Sequence, residues 1–551
     1  MTLIAPTLGE SLDHPPQALQ FGTSGRRGLL LHLTQLELYI NALAELEYLQ
    51  TLPLCEGGIV RGDPFYFASD LRPTSTRFNE HGQGELAQSI LLAIESAGMV
   101  PVYLGCIPTP ALMAHAIGQG KGSMMVTGSH IPFDRNGYKT NTSRGELLKH
   151  HETPINAQVE QVRARVYAEP LADSPFDVSG CLKSGHRDLP EANPGAARAY
   201  VQRYVDFFGA DALTGLRLVF YQHSAVGRDL VPAILRALGA EVFETGRSEV
   251  FVPIDTENID AEQLGAIQGL LDSVMAGHGR MDALVSTDGD SDRPLLLGVN
   301  AETGEARFFG GDLLGMMAAG FLEAGSVVVP ISCNDAIDRG RLKSVLEPKT
   351  RIGSPFVIAG MEAALAKGRA AVCGWEANGG FLTGSDFYRD ERKLSALPTR
   401  DAVLPIVAVL ASARAEGVSL IELFGRLPPR YGKAALLRDF PRCRALSIVK
   451  RFSPESGTLE EQASIHKALA RYFSPEQGFA VVGRVDYTDG VRIYFENGDV
   501  AHIRPSGNAD ELRIYAVADS QARADFMVDM AVAEGGILRA MEREICDGVS
   551  G

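Results

Sequence analysis

Three aspartates at alternating positions, Asp288, Asp290 and Asp292, stand in the run STDGDSDRP and are followed at once by Arg293. Closely spaced carboxylates are hard oxygen ligands for a divalent cation, and a guanidinium beside them suits a phosphate. An EF-hand is disfavoured because its sixth and twelfth positions, which need Gly and Glu, hold Arg293 and Val299. The run therefore indicates either phosphoryl chemistry at a cation or an acidic turn in solvent.

A second loop, TGSHIPFDRNGYK, contains Ser129 and His130, with Lys139 ten residues after the serine. The loop lacks the GxSxG pattern of α/β-hydrolases, and the chain has no GxxxxGKS/T phosphate loop. A serine near a metal loop can instead carry a phosphoryl group covalently, which splits one difficult transfer into two. Taken singly, His130 is more typical of a hydrogen-bonded loop histidine than of a catalytic one, and Lys139 is more typical of a solvated lysine.

Three further loops combine glycine with groups that bind anions or hydroxyls. In FGTSGRRG, glycines surround Arg26 and Arg27, so the backbone can approach an anion that arginine grips. In GWEANGG, Glu376 and Asn378 offer acceptors and donors suited to vicinal hydroxyls. The last loop, RPSGNADELRIYA, is a plausible phosphate cradle or an ordinary polar hairpin, and its candidate residues are Arg504, Ser506, Gly507, Asn508 and Arg513.

The elements that must position these loops alternate along the chain. Short apolar runs such as GSMMVTG, DALVSTD and AAVCGWE predict strands that end where the candidate residues begin. Longer amphipathic stretches between them predict helices, so we expect βαβ units and mostly parallel sheets. The region VVGRVDYTDGVRIYFENGDVAHIRPSG is instead dense in strands with Asp-Gly and Asn-Gly turns, which predicts a separate C-terminal α+β domain.

Composition limits the class of protein. The 551 residues suggest about three to five domains, and 45% apolar with 22% charged residues is ordinary for a globular enzyme. A formal charge of −16 argues against a general nucleic-acid binder. Seven cysteines without a CxxC pair fit a reducing compartment. With no signal-peptide pattern and no apolar run of about 20 residues, we expect a cytoplasmic location and no membrane partner.

Taken in order, the five loops resemble those of the α-D-phosphohexomutase superfamily, and the resemblance spans about Phe21 to Tyr515. It implies an α/β fold of four domains around a central cleft, in which three related domains with mixed or parallel sheets precede a smaller α+β domain. We expect domain I with the phosphoserine loop at 1–190 and domain II with the metal loop at 191–300. Domain III with the sugar loop is expected at 301–430 and domain IV with the phosphate loop at 431–551.

The resemblance also implies roles for individual residues. Ser129 is similar to the serine that carries the phosphoryl group, with His130 beside it, and Arg27 and Lys139 match positions that handle protons and the reacting hydroxyl. Ser129, Asp288, Asp290 and Asp292 are the implied magnesium ligands. The implied substrate contacts are Arg293, Gly353, Ser354, Glu376, Asn378, Arg504, Ser506, Gly507, Asn508 and Arg513.

The implied activity is that of an isomerase, an intramolecular phosphotransferase that interconverts hexose 6-phosphate and hexose 1-phosphate. Phosphorylated Ser129 would form a hexose 1,6-bisphosphate, which also serves as activator, and Mg²⁺ is the implied cofactor. The partner is a small sugar phosphate, and the enzyme is expected to be a monomer or homodimer. A metal-dependent sugar phosphatase and a non-catalytic sugar-phosphate sensor are the alternatives from other classes.

Departures from the family pattern bear on the choice of sugar. The serine loop has Ile131 where Asn is common, and the sugar loop, often GGExSGH, has Trp375 before the glutamate, Asn378 for Ser and Gly380 for His. The phosphate loop has Asn508, Ala509 and Asp510 where TEP is common, and Ser354 stands where His or an aromatic is frequent. The SHIP and DGDSDRP forms most resemble bacterial phosphomannomutases, so mannose phosphate is expected, ahead of glucose and glucosamine phosphates.

Overall fold

The computed structural model describes residues 5–22, 25–129, 131–257, 259–505 and 510–548. They form four larger β-sheets and one two-stranded sheet, with helices packed on them. Among these residues, none of the helices has the combination of length and apolar character that crossing a membrane requires. The chain is thus an α/β protein of several sheets, as the sequence predicts.

The first sheet has the strand order β1-β5-β4-β2-β3, in which β2 is parallel to β3 and β4, and β5 is antiparallel to β4 and β1. Its strands are β1 (Arg26–Leu29), β2 (Pro64–Ser69), β3 (Val100–Cys106), β4 (Ser123–Val126) and β5 (Arg135–Asn141). The accompanying helices are α1 (Leu8–Ser11), α2 (Gln35–Leu49), α3 (Pro73–Thr76), α4 (Leu86–Ser96), α5 (Thr109–Gly118) and α6 (Lys149–Tyr167). Helix α2 is almost wholly buried because α4 and α6 cover it.

The second sheet repeats this pattern with the order β10-β9-β8-β6-β7, in which β6 is parallel to β7 and β8, and β9 is antiparallel to β8. Its strands are β6 (Arg217–His223), β7 (Glu241–Arg247), β8 (Ala283–Thr287), β9 (Pro294–Val299) and β10 (Ala306–Phe308). The helices of this region are α7 (Gly195–Phe208), α8 (Leu230–Ala237) and α9 (Ala261–His278).

The third sheet has the order β11-β12-β13-β16, and a short hairpin, β14-β15, stands beside it. The strands are β11 (Ser326–Val328), β12 (Val372–Trp375), β13 (Phe381–Thr383), β14 (Phe387–Arg389), β15 (Arg392–Leu394) and β16 (Leu397–Asp401). The helices are α10 (Gly311–Phe321), α11 (Ser354–Ala366), α12 (Val403–Glu416) and α13 (Leu420–Phe424). Helix α12 is buried on nearly every face, and one apolar core joins it to α7, α10 and the second sheet.

The fourth sheet is entirely antiparallel, in the order β17-β21-β20-β19-β18. Its strands are β17 (Tyr431–Leu437), β18 (Val482–Asp486), β19 (Val491–Phe495), β20 (Val500–Pro505) and β21 (Leu512–Ala518). Four helices cover it with a core of their own: α14 (Arg442–Arg451), α15 (Leu459–Leu469), α16 (Gln521–Val532) and α17 (Ile537–Gly548). Gly490 and Gly498 adopt positive φ in its two tight turns, which confirms the predicted hairpins.

The first three sheets share one feature that positions the candidate residues. In each, a strand that is parallel to a neighbour, β4, β8 or β12, turns back into an antiparallel one, β5, β9 or β13. The serine, aspartate and glutamate loops occupy these three equivalent turns. The sheets are therefore mixed, not mostly parallel as the alternation of elements alone suggests, because each ends in this hairpin. The four sheets follow the predicted order along the chain, while the predicted domain boundaries stay a prediction.

Candidate active site

Ser129 lies where the serine loop meets the aspartate loop. It is fully buried, and its Oγ donates to Asp288 Oδ2 at 2.9 Å. Its φ of 52° is in the left-handed region, a strained conformation that costs about 1 kcal/mol or more and is typical of functional sites. Thr127 Oγ1 accepts from the backbone N–H of Ser129 at 2.7 Å and helps hold this conformation. The fold thus brings together two residues 159 positions apart.

Close contact between the two loops depends on Gly289. A Cβ at this position would lie 2.6 Å from the carbonyl oxygen of Ser129, so a side chain there would push the loops apart. The aspartate loop itself is closed by Asp288, whose Oδ1 accepts from the backbone N–H groups of Asp292 and Arg293, both at 3.1 Å. Strand β8 ends at Thr287, directly before the loop, as the sequence predicts.

The three aspartates are fully buried and are supported by donors from the first sheet and from helix α5. Lys139, on β5, donates to Asp290 Oδ2 at 2.6 Å and to Asp292 Oδ2 at 2.7 Å. Thr109, at the start of α5, donates to Asp290 Oδ2 at 2.8 Å. The structure therefore excludes the solvent-exposed acidic turn that the sequence left open, and Lys139 is buried instead of solvated.

Burial and neighbouring charges give the three carboxyl groups different acidities. Burial, followed by repulsion from Asp290 and Asp292, raises the pKa of Asp288 well above its usual value. Burial opposes ionisation of Asp290 as well, but the charge and hydrogen bond of Lys139 outweigh it and lower that pKa. Burial also opposes ionisation of Asp292, but the charges of Arg400, Lys139 and Arg293 together lower that pKa. A metal ion bound beside Asp288 would lower the pKa of Asp288 in the same way as Lys139 lowers that of Asp290.

The aspartate group fits a divalent metal ion. One ligand oxygen from each of Asp288, Asp290 and Asp292 lies within 4.8 Å of the others, the only such group in the described part of the chain. Asp290 Oδ1 and Asp292 Oδ1 are buried, and neither has a hydrogen-bond partner among the described residues. Buried carboxylate oxygens of this kind are costly unless a cation or a donor satisfies them. Hard oxygen donors suit Mg²⁺.

Two arginines place positive charge beside this group. Arg293 is buried, and the nearby carboxylates keep its pKa raised although burial and Arg400 oppose this. Arg27 is half-buried, and burial, followed by repulsion from Arg293, lowers its pKa to about 10. The structure corrects one expectation, because Arg26 and Arg27 lie on β1 and not in a loop. Arg26 points away from the aspartates and pairs with buried Glu45 at 2.7 Å.

Glu376 and Asn378 occupy the turn between β12 and β13, and both are buried. Asn378 Oδ1 accepts from the Gly380 N–H at 3.0 Å and so closes the turn. Glu376 Oε2 accepts from Arg400, on β16, at 3.1 Å. Arg400 also donates to Asp292 Oδ2, with Nε at 3.0 Å and Nη2 at 2.8 Å. One guanidinium thus joins the glutamate loop to the aspartate loop.

Gly353 and Ser354 stand at the N-terminus of α11. Gly353 caps the helix with a φ of 128°, and Ser354 is fully buried. The Ser354 hydroxyl donates to Glu146 Oε2 at 2.7 Å, and Glu146 Oε1 accepts from Thr399 at 2.7 Å. The structure thus gives Ser354 a partner within the protein, and its substrate contact stays a prediction.

Arg504 and Arg513 face each other as a pair on the neighbouring strands β20 and β21. Both are half-buried; Arg504 Nε lies 3.7 Å from Asp489 Oδ1, and Arg513 Nη2 donates to Glu511 at 3.1 Å. The other predicted members of this loop, Ser506, Gly507 and Asn508, lie outside the described residues, as does His130.

Sequence reasoning missed three residues of this region. Thr109 and Arg400 bind the aspartates directly, but neither belongs to a motif that could have marked it. Glu257 is half-buried, and burial, followed by repulsion from Asp255, raises its pKa to about 7 although Arg513 and Arg293 oppose this. A raised carboxyl pKa is a common sign of a functional site, yet only the fold shows which charges meet there.

Comparison with known proteins places the chain in a family. Three family models match it: Phosphoglucomutase/phosphomannomutase, alpha/beta/alpha domain I over residues 18–165, domain III over 310–431, and the C-terminal domain over 456–534. The phosphomannomutase of Sinorhizobium fredii is 37% identical over 519 residues, which cover 93% of this chain and 98% of that protein. The phosphomannomutase of Salmonella muenchen is 35% identical, covering 94% and 95%.

Solved structures agree on the fold. A phosphoglucomutase/phosphomannomutase family protein from Burkholderia thailandensis superimposes with a TM-score of 0.63 at 18% identity, covering 92% of this chain and 95% of that one. The chain therefore belongs to the phosphoglucomutase/phosphomannomutase family of the α-D-phosphohexomutase superfamily, a family of metal-dependent isomerases, and it is a phosphohexomutase.

Proposed function

We propose that this phosphohexomutase acts on mannose phosphate, that Ser129 carries its phosphoryl group and that Mg²⁺ is its metal. The contact between Ser129 Oγ and Asp288 Oδ2 at 2.9 Å carries the proposal, because it puts a nucleophile at the edge of a buried carboxylate group. The 37% identity to a protein named phosphomannomutase supports the sugar. Weaker matches to phosphoglucosamine mutases, at 24% to 27% identity, support it less.

The residues of the site have separate tasks in this proposal. Ser129, Asp288, Asp290 and Asp292 would hold Mg²⁺, which when bound stabilises negative charge on the transferring phosphoryl group. Lys139 keeps Asp290 and Asp292 in place, with contacts of 2.6 and 2.7 Å. Arg293 offers a buried cation to the phosphoryl oxygens. Glu376 binds sugar hydroxyls, with Asn378 shaping its turn.

The transfer itself is a double displacement. The bond from phosphorus to Ser129 Oγ breaks as a bond from phosphorus to the oxygen of the free sugar hydroxyl forms. The proton of that hydroxyl passes through the deprotonated form of Arg27, whose pKa is lowered to about 10, to the freed Ser129 Oγ. The hexose 1,6-bisphosphate then turns over and returns its other phosphoryl group to Ser129. Burial of Ser129 limits access of water, which would hydrolyse the phosphoserine. Arg504 and Arg513 hold the phosphate that does not react, in each orientation.

A coupled assay with mannose, glucose and glucosamine 1-phosphates tests the sugar. Each reaction contains magnesium and the matching 1,6-bisphosphate, and we expect the highest kcat/KM with mannose 1-phosphate. A higher value with another sugar would replace mannose but leave the mutase activity in place. Release of inorganic phosphate without formation of the 6-phosphate would instead indicate a phosphatase.

Ser129→Ala tests the phosphoryl carrier. Removing the hydroxyl leaves nothing to accept the phosphoryl group, so we expect mutase turnover to fall below detection. Mass spectrometry of the purified wild-type protein should find phosphate on Ser129 and none there in the variant. Ser174→Ala is the matched control, since Ser174 is also buried but lies outside this site. Undiminished turnover in Ser129→Ala contradicts the mechanism.

A further inference from the structure

Arg400 connects the proposed metal ligand Asp292 with the proposed sugar-binding residue Glu376. Its guanidinium donates through Nε and Nη2 to Asp292, at 3.0 and 2.8 Å, and through Nη1 to Glu376, at 3.1 Å. The side chains of all three residues are at most 5% exposed. A planar fork of donors can hold two carboxylates at fixed positions, whereas a lysine ammonium acts as a single point charge. The simultaneous contact with Asp292 and Glu376 therefore requires an arginine.

Arg400 also sets which oxygen of Asp292 is available. Asp292 Oδ2 accepts from Arg400 and from Lys139, so this oxygen is fully used by the protein. Asp292 Oδ1 is buried and has no hydrogen-bond partner in the described part of the chain. Because the guanidinium fixes the plane of the carboxylate, it fixes where Oδ1 points. Partners of metal ligands act in this way, and losing one commonly changes metal affinity about 10- to 100-fold.

Gly380 makes room for this arrangement. A Cβ at residue 380 would lie 2.6 Å from both Cδ and Cγ of Arg400, closer than side chains pack. The stem of Arg400 thus occupies the space that any side chain at residue 380 would need. The resemblance noted above has His at the position of Gly380, and a side chain of that size does not fit beside Arg400 as it lies here. A side chain at residue 380 would therefore require Arg400 to move.

We propose that Arg400 is a positioning residue that couples recognition of the sugar at Glu376 to the binding of metal at Asp292. The inference rests on the proposed function, because it takes Glu376 as the group that contacts sugar hydroxyls. When a hydroxyl binds Glu376, the ion pair with Arg400 becomes more fixed, and Arg400 in turn holds Asp292 more firmly. Thermodynamic linkage requires the converse, so metal at Asp292 favours sugar at Glu376 by the same factor.

The coupling is measured as a ratio of metal affinities. Calorimetry gives the Kd of Mg²⁺ for the full-length dephosphorylated protein with and without saturating mannose 1-phosphate. For the wild type we expect the sugar phosphate to tighten Mg²⁺ binding between about 5- and 150-fold, the usual range for coupled sites. In Arg400→Gln, which keeps polarity and most of the volume, we expect this ratio to fall at least fivefold. Arg400→Lys should show the same loss, since it keeps the charge but not the fork.

A double-mutant cycle separates Arg400 from any direct contact between the phosphate and the metal. Glu376→Gln should reduce the ratio of the two Mg²⁺ affinities in the wild-type background. In the Arg400→Gln background it should change this ratio less than twofold, because the contact between residues 376 and 400 is already lost. A direct phosphate contact contributes equally to all four proteins and cancels. Gly380→Ala should reproduce the loss by displacing Arg400, whereas Gly265→Ala, whose added Cβ meets nothing within 4 Å, should not.

Other outcomes overturn the inference. It is wrong if Arg400→Gln and Arg400→Lys retain the wild-type ratio, or if Glu376→Gln has the same effect in both backgrounds. It is also wrong if Arg163→Ala, which removes a partly buried ion pair with Glu37 on the helices of the first sheet, lowers the ratio equally. A wild-type protein with normal mutase turnover and no coupling defeats the inference alone. A wild type without turnover or phosphoserine defeats the proposed function, and the inference with it.

Discussion

The aspartate loop and the strand pair β20–β21 both concentrate charge, but they differ in how far that charge is paired within the protein. Around Asp290 and Asp292, donors from Thr109, Lys139 and Arg400 already lie at 2.6 to 3.0 Å. Arg504, by contrast, has its nearest carboxylate, Asp489, at 3.7 Å. Its buried Nε has no hydrogen-bond partner among the described residues, and the same holds for Arg513 Nε.

The difference indicates two ways of building a charged site. The aspartate end is organised before anything binds, so its groups need little rearrangement when charge develops on a phosphoryl group. The arginine end keeps donor capacity that an anion from outside can use. In the proposed mechanism the sugar binds in two orientations, so a rigid region for the chemistry and a region with unused donors for the idle phosphate would complement each other. Substitutions at the two ends should therefore change different kinetic constants.

The largest effect is expected for Asp290→Asn in the aspartate loop. The amide keeps the shape but loses the charge that Lys139 pairs with at 2.6 Å, and it weakens the proposed metal site. Loss of several kcal/mol of transition-state stabilisation corresponds to a fall of about a thousandfold in kcat. Steady-state rates as a function of Mg²⁺ concentration measure this.

A control separates the metal from general damage to the loop. Asp282→Asn changes an aspartate that lies just before the same strand, β8. Asp282 Oδ2 accepts from the backbone N–H of Arg217 at 2.8 Å, outside the aspartate loop. That variant should keep its kcat within about threefold of the wild type. If Asp290→Asn also retains its rate and its Mg²⁺ dependence, the aspartates do not form the metal site.

The acidity of Glu257 depends on charges from both regions. Its carboxyl is influenced by Arg293 of the aspartate end and by Arg513 of the arginine end, but burial and Asp255 dominate and raise its pKa from 4.5 to about 7. A carboxyl whose pKa is raised on folding contributes stability below pH 4.5, and this contribution is lost as the pH rises through 7. At pH 8 the charged form therefore destabilises the folded protein.

Glu257→Gln removes this penalty. We expect the variant to be more stable than the wild type at pH 8, by up to about 3 kcal/mol, and to show no gain at pH 4.5. Thermal unfolding midpoints at the two pH values measure the difference. An equal change at both pH values would mean that folding does not raise the pKa of Glu257. Glu249→Gln, at an exposed carboxyl in the same region, is the control and should leave the pH dependence unchanged.

The sequence predicts the residues of the aspartate loop better than it predicts the contacts that other parts of the chain make with this loop. The strand before Asp288 and the hairpins of the fourth sheet are local patterns, and the structure confirms them. Arg400 was not predictable, because it reaches Asp292 from 108 positions away and stands in no motif. The role of Gly380 follows only once Arg400 is placed. A sequence shows which groups are present, but long-range pairing between loops and strands decides which of them meet.

The smallest of the three effects is expected from Arg504→Ala, on the strand pair β20–β21. A charge-assisted contact to a phosphate contributes about 2 kcal/mol, so the variant should bind mannose 1-phosphate roughly 30-fold more weakly. Because this phosphate does not react, the loss should appear mainly in KM and in the Kd from calorimetry, with kcat changed by less than about tenfold. Arg484→Ala, on β18 of the same sheet and 62% exposed, should leave both constants unchanged. If Arg504→Ala instead lowers kcat as steeply as Asp290→Asn and leaves Kd intact, the two ends do not have separate roles. A weakened Kd with a largely intact kcat would mean that the idle phosphate is held at β20–β21 while the chemistry depends on the aspartate loop.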